Sequence, residues 1–206
     1  MNFKELNKIT VFNPKPIMSA DDIFPKLARS RYYSTFDFCT GYWQIPMKEN
    51  FKDCTTFVSS KRLFRFKVMP FGLVNAGSTC NRMVRKLLDG ATNLQSYVDD
   101  VTGHTKNWDK HVQTLKDFVK LVKQGRLRLK PSKCKIGFGT ANFLSHTLNS
   151  NFIEPLQEII GRILEMPRPN TKKQVSSLLG LINFYRQYIP DCATLISPLT
   201  DLTRSR

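Results

Sequence analysis

Gln95-Ser96-Tyr97-Val98-Asp99-Asp100-Val101-Thr102-Gly103 sets two adjacent acidic residues between residues that favour strands. Tyr97, Val98, Val101 and Thr102 are aromatic or β-branched and fit a pleated strand, whereas the Asp pair prefers a turn. The stretch predicts a β-hairpin with two carboxylates at its tip. Ionised carboxylates side by side repel, and they are tolerated where the tip is solvated or where divalent cations share the charge. Taken alone, the pair fits an ordinary surface turn just as well.

A second acidic position upstream changes that balance. Tyr33-Ser34-Thr35-Phe36-Asp37-Phe38-Cys39-Thr40-Gly41-Tyr42-Trp43-Gln44-Ile45 embeds a single Asp in an aromatic and β-branched run. A carboxylate is expensive to bury there unless something positive answers it. If that strand lies beside the hairpin, Asp37, Asp99 and Asp100 converge on one point and offer hard oxygen ligands to two Mg²⁺ ions, with Mn²⁺ as the alternative. A pair of such ions serves in-line phosphoryl displacement.

Around these two sites the chain alternates strand and helix signals. Ser19-Ala20-Asp21-Asp22 reads as a helix cap with an acidic first turn, and Pro25 is expected to end or distort the helix that follows. Thr55–Val58 and Leu63–Val68 are strand-like and flank a polar turn, Ser59-Ser60-Lys61-Arg62. Cys80, Met83, Val84, Leu87 and Leu88 recur at helical spacing up to Gly90. Trp108, Val112, Leu115, Phe118, Val119 and Val122 form a longer amphipathic helix closed by Gly125. Leu127 to Phe138 is basic and strand-like. The resulting β-α-β-β-α-β order is a split βαβ arrangement. Beyond Pro155 the pattern turns helical, with Pro167 and Pro169 as breakers and a Thr171-x-x-Gln174 capping box.

Composition narrows the partners. Lys plus Arg number 32 against 16 Asp plus Glu, a net charge of +16 over 206 residues. The excess favours a polyanion, because each neutralised phosphate releases counterions; a basic protein with a solvated surface is the plainer alternative. The charges fall in Lys61-Arg62, Arg82 to Lys86, Lys116 to Lys135 and Lys172-Lys173, which suits a groove tracking a nucleic-acid backbone better than a disordered arm. Cys39, Cys54, Cys80, Cys134 and Cys192 contain no C-x-x-C pair, so a reducing, intracellular compartment is expected rather than a disulfide framework or a zinc site. His104, His111 and His146 lack metal-ligand spacing. No signal peptide and no bilayer-spanning apolar run is present, so no membrane partner is expected.

Six blocks occur in one order: Phe36-Asp37-x3-Gly41-Tyr42-x-Gln44-Ile45, Met69-Pro70-Phe71-Gly72-Leu73-x-Asn75-Ala76, Tyr97-Val98-Asp99-Asp100, Leu129-x-Pro131-x-Lys133-Cys134, Phe143-Leu144-x-His146, and Leu179-Gly180-Leu181-x-Asn183-Phe184-Tyr185-Arg186. Together they resemble the reverse transcriptase of gypsy-type long-terminal-repeat retrotransposons. The resemblance implies an α+β fold: a right-hand polymerase palm over residues 1–150, with an antiparallel, ferredoxin-like sheet, followed by a helical thumb over 151–206. It matches Asn2 to Asn7 to a segment that relatives reach after a long N-terminal stretch, so most of the fingers subdomain is expected to be missing.

The resemblance also implies roles. Asp37, Asp99 and Asp100 become the catalytic metal ligands of RNA-directed DNA synthesis from a primed RNA or DNA template and deoxynucleoside triphosphates. Tyr42 becomes a steric gate against a 2′-hydroxyl, with a core aromatic as the alternative. Phe71 and Gly72 line the nucleotide pocket, and Lys133 protonates departing pyrophosphate or simply contacts phosphate or solvent. Leu144 and His146 belong to a primer grip. Two departures stand out: Ala76-Gly77-Ser78-Thr79-Cys80 replaces Ala-Pro-x-x-Phe, which loosens the expected helix start, and Ser145 replaces a turn Gly. A non-polymerising, nucleic-acid-binding remnant or a domesticated retroelement protein is the alternative function.

Overall fold

The computed structural model describes residues 1–14 and 18–204, apart from the side chain of Asp21. The acidic first turn expected there therefore rests on Asp22 alone among described side chains. Two short helices, α1 (Lys4–Ile9) and α2 (Ala20–Leu27), lead into β1 (Tyr32–Phe36). Ser19 and Asp22 cap α2 reciprocally, as the sequence implies. Pro25 does not end α2, which runs two residues further, to Leu27.

After β1 come a short helix α3 (Glu49–Lys52), the hairpin β2 (Phe57–Val58) and β3 (Leu63–Phe64), and then α4 (Ala76–Leu87). The hairpin is shorter than the strand-like runs that predict it. The hairpin β4 (Leu94–Tyr97) and β5 (Asp100–Thr105) follows, then α5 (Trp108–Gln124) and β6 (Lys135–Phe138). The sheet order is β4-β5-β1-β6, and every described pairing is antiparallel. With α4 and α5 as crossovers, this is the expected split βαβ arrangement.

The core lies between this sheet and its two helices. Phe36, Phe38, Val101 and Leu94 meet Cys80 and Val84 of α4 and Phe118 and Val122 of α5. The Phe36 and Phe118 ring centroids are 4.3 Å apart. Gly125 ends α5 with an ordinary right-handed φ, and the left-handed residue is Arg126 (φ 54°).

Where β1 meets β6 the register slips between Tyr33 and Thr35, and Gly137 sits in this bulge at φ 72°. Its freed N–H donates to Ser34 Oγ at 2.9 Å. From Ser34 a chain of polar groups continues: His111 Nε2 lies 2.8 Å away, and His111 Nδ1 lies 3.1 Å from Thr105 Oγ1. Thr105 donates its only hydroxyl proton to Asn107 O at 3.0 Å. Thr105 must therefore accept from His111, which fixes the Nδ1–H tautomer and makes Ser34 the donor to Nε2. This relay ties β6, β1 and β5 to α5, and all three side chains are buried.

The chain forms two compact units: 1–141 with 148–152, and 142–147 with 153–204 of the described residues. Strands β7 (Ala141–Phe143), β8 (His146–Leu148) and β9 (Ile153–Pro155) form a small sheet. The second unit continues with α6 (Gln157–Leu164), α7 (Lys172–Phe184) and α8 (Cys192–Asp201), the last two packed together. Thr171 and Gln174 form the expected capping box on α7. No helix among the described residues is long and apolar enough to cross a membrane.

Candidate active site

The β4–β5 turn consists of Val98 and Asp99, with Tyr97 paired to Asp100. Asp99 therefore sits in the tip, while Asp100 is the first residue of β5 rather than part of the turn. Val98 has φ 56°, a left-handed conformation that a β-branched side chain resists, and such strain typically amounts to about 1–3 kcal/mol. The register Phe36↔Val101 carries Asp37, the next residue of its chain, to the level of Asp100. Asp37 is anchored through its backbone, its carbonyl accepting from Lys130 N–H at 2.9 Å.

Asp100 feels the other two carboxylates. The Asp100 pKa is raised, first by protein crowding out water, then by the charges of Asp99 and Asp37, with Lys133 acting in the opposite sense. Asp100 keeps an exposed edge all the same. Lys133 Nζ lies 3.2 Å from Asp37 Oδ2. Among the described residues no three Asp, Glu, His or Cys side chains are already grouped as a metal cluster. Asp37, Asp99 and Asp100 are thus electrostatic neighbours, with an ammonium on one of them.

Tyr42 lies in a 3-10 turn, Gly41–Gln44, beside the Asp hairpin. A Cβ on Gly41 would stand 3.9 Å from both Asp99 Cβ and Cys80 Sγ. Tyr42 is half-buried against Phe71 at 5.0 Å between centroids, and its phenol pKa is raised by burial, then by Cys80 and Asp99. Burial, followed by Asp99, pushes the Cys80 thiol up to about 11. The structure thus brings Tyr42, Phe71 and Cys80 into the neighbourhood of the carboxylates. Gln44 fixes the turn: its Nε2 donates to Cys39 O (2.7 Å) and Arg128 O (2.9 Å), and its Oε1 accepts from Arg128 N–H (2.6 Å).

Gly72 adopts φ 93°, a conformation that glycine alone takes without penalty. Its position depends on a residue that sequence reasoning did not single out. Asn7 Nδ2 donates to Gly72 O (2.8 Å) while Asn7 Oδ1 accepts from Val74 N–H (2.9 Å). Asn75 completes the tie, donating to Val11 O and accepting from Asn13 N–H, both at 2.9 Å. Asn75 occupies the cap position of α4 yet spends its amide on this tie, so α4 starts at Ala76 without a side-chain cap. No spacing rule signals Asn7; only the fold brings residues 65 apart together.

Leu144 and His146 lie in the second unit. The β7–β8 turn is Leu144-Ser145, with φ values of 49° and 62°, the paired left-handed geometry that a two-residue hairpin requires. Ser145 therefore keeps the turn that Gly would make and carries its strain. His146 Nδ1 donates to Leu144 O at 2.7 Å, and its ring is caged by Phe184, Tyr185 and Tyr188 at 5.8, 5.4 and 5.6 Å. This buried packing gives His146 a role in holding the turn to the helices of its own unit.

A family model described as "Reverse transcriptase (RNA-dependent DNA polymerase)" matches residues 1–152. The chain is 29% identical over its whole length to the "Retrovirus-related Pol polyprotein from transposon 297" of Drosophila melanogaster, covering 20% of it. It is 32% identical over 96% of its length to "Polyprotein P3" of Commelina yellow mottle virus, covering 11%. The chain thus spans a fifth or less of these relatives. A foamy viral protease-reverse transcriptase solved in complex with double-stranded DNA aligns over 97% of the chain and 35% of its own, with TM-score 0.91 and 24% identity. That likeness bears out the α+β palm-and-thumb fold. From the family match over three-quarters of its length, the chain belongs to the reverse transcriptase (RNA-dependent DNA polymerase) family.

Proposed function

We propose that the chain is the palm and thumb portion of a gypsy-type retrotransposon reverse transcriptase, with residues 1–150 as palm and residual fingers and 151–206 as thumb and connection helices. It works inside the cell, extending a primer on an RNA or DNA template with deoxynucleoside triphosphates. The observation that carries this reading is the repulsion that Asp99 and Asp37 exert on Asp100 beside the hairpin tip. Foamy viral relatives captured with double-stranded DNA and with an RNA/DNA hybrid support the choice of nucleic acid.

The carboxylates fit hard divalent cations, because their like charge, answered only in part by Lys133, is what such ions neutralise. Asp37, Asp99 and Asp100 would hold two Mg²⁺ or Mn²⁺, which when bound acidify the primer 3′-hydroxyl and offset the charge of the triphosphate. Tyr42, braced by Phe71, excludes a 2′-hydroxyl, and the Gly72 backbone approaches the nucleotide closely. The primer 3′-hydroxyl gives up its proton to solvent and its oxygen bonds to the α-phosphorus as the bond to the pyrophosphate oxygen breaks, and Lys133 supplies a proton to the leaving group. Leu144 and His146 seat the primer terminus. Shape and backbone contacts bind the duplex, and base pairing sets the sequence copied.

One observation favours a second reading. The ammonium of Lys133 stands on Asp37, where a cation would otherwise sit, as in a nucleic-acid-binding remnant that no longer polymerises. Primer extension on an RNA template with Mg²⁺, beside Asp99→Asn, separates the two. Extension that the substitution abolishes is expected; no extension by either protein, with duplex binding intact in both, would mean a fragment or a remnant, with the activity to be sought in a longer product.

A further inference from the structure

At the end of the central sheet away from the carboxylates, a cavity of about 450 Å³ opens between the α2–β1 corner and the start of α5. From Asp100 to Thr105 the strand advances roughly 17 Å, so this cavity is separate from the candidate active site. Lys26, Arg29, Lys106 and Lys110 line it, together with Ser30 and His104, and no carboxylate among the described residues does. A neighbouring cavity that shares Asn93 and Lys110 is, by contrast, lined by Asp89 and Asp117. The α5 N-terminus, which carries the positive end of a 17-residue helix dipole, opens on the basic cavity through Asn107 and Lys110.

One of the lining residues carries a buried polar atom that lacks a partner. His104 is 9% exposed, its Nδ1 lies 3.0 Å from Ser30 Oγ, and its Nε2 has no hydrogen-bond partner among the described residues. A buried imidazole nitrogen left unpaired is costly, and buried polar groups nearly always find one partner. Burial, then neighbouring His111, lowers the His104 pKa to about 4, so the ring is neutral at pH 7 and its unpaired nitrogen is a hydrogen-bonding group rather than a charge. Four cations supply the charge.

We infer that this cavity is a phosphate-binding site in which Lys26, Arg29, Lys106 and Lys110 neutralise the anion and His104 Nε2 hydrogen-bonds one of its oxygens. The phosphate comes either from a free oligophosphate or from the backbone of a nucleic acid running past the palm. The overall charge of +16 favours the strand.

Three histidines in the whole chain make the test direct. Isotope-labelled histidine in the full chain is followed by NMR at neutral pH with a chelator present, so that ions at the carboxylates contribute nothing. Inorganic pyrophosphate is titrated first and a single-stranded oligonucleotide second. The expected result is a saturable shift of the His104 Nε2 resonance, with His111 and His146 unmoved, and about tenfold weaker binding in Lys106→Glu and Lys110→Glu. Tighter saturation by the oligonucleotide assigns the site to backbone phosphate, and tighter saturation by pyrophosphate assigns it to the free ion. No His104 shift with either probe, or a shift unchanged in both charge-reversed variants, overturns the inference. Loss of polymerase activity is not the readout, so failure here leaves the assignment of the carboxylates untouched.

Discussion

Lys133 Nζ and Asp37 Oδ2 lie 3.2 Å apart, and the same ammonium tempers the repulsion felt at Asp100. Because the folded Asp100 pKa lies above 3.8, the unfolded carboxyl loses its proton first as pH rises, and the folded state loses stability across that window. Asp100→Asn should therefore raise Tm at pH 7 without metal and leave it unchanged below pH 3. Lys133→Ala should lower Tm at pH 7. Thermal melts at both pH values check the pair.

Gly137 combines φ 72° with a Cβ position only 2.9 Å from the Trp108 ring. Gly137→Ala should destabilise by about 2–4 kcal/mol, from left-handed strain together with overpacking. Gly139, whose Cβ would meet nothing within 4 Å, is the control and should change little. Urea denaturation midpoints report both.

Ser145→Gly should stabilise the β7–β8 turn by about 0.5–1 kcal/mol, because relief of the left-handed penalty exceeds the entropy cost of glycine. A rise in the urea midpoint at unchanged slope is the expected result.

His104 and His111 both have pKa values held below 6.5 by burial. As pH falls below 6.5 the unfolded imidazoles take up protons that the folded ones refuse, so stability is present above that value and is lost towards pH 4. Equilibrium unfolding from pH 7 to pH 4 should show this loss, and His104→Gln should flatten it. Ser34→Ala leaves His111 Nε2 without its donor and should cost about 1–3 kcal/mol.

Asn7→Ala frees the backbone between Gly72 and Val74 from its double tie. On the proposed function, KM for the deoxynucleoside triphosphate should rise about three- to tenfold with little change in kcat, as steady-state primer extension would show.

The aromatic and β-branched residues around Asp37 and Asp99 made the central sheet legible, because such side chains fit a pleated, buried surface. Helices α4 and α5 were legible from apolar residues recurring at period 3.6. What the sequence hid was conditional on partners far along the chain. Asn7 looks like any polar helix residue until Gly72 is beside it, and Pro25 looks like a terminator although α2 continues past it. Ser145 in place of Gly suggested a changed turn, yet strand pairing on either side imposed the left-handed pair on the residues present. His111 carried no spacing signal, since its partners come from two separate strands.

The proton order running from Gly137 N–H through Ser34, His111 and Thr105 to Asn107 O has a further consequence, for choice among alternatives rather than for stability. Each hydroxyl and imidazole has one proton to give and gives it onward, so the chain reads in a single direction. A one-residue slip of α5 would bring Lys110 or Val112 to the place of His111, and neither both donates and accepts. The relay thus acts as a key with one fitting position: it selects the helix register in which the sheet closes.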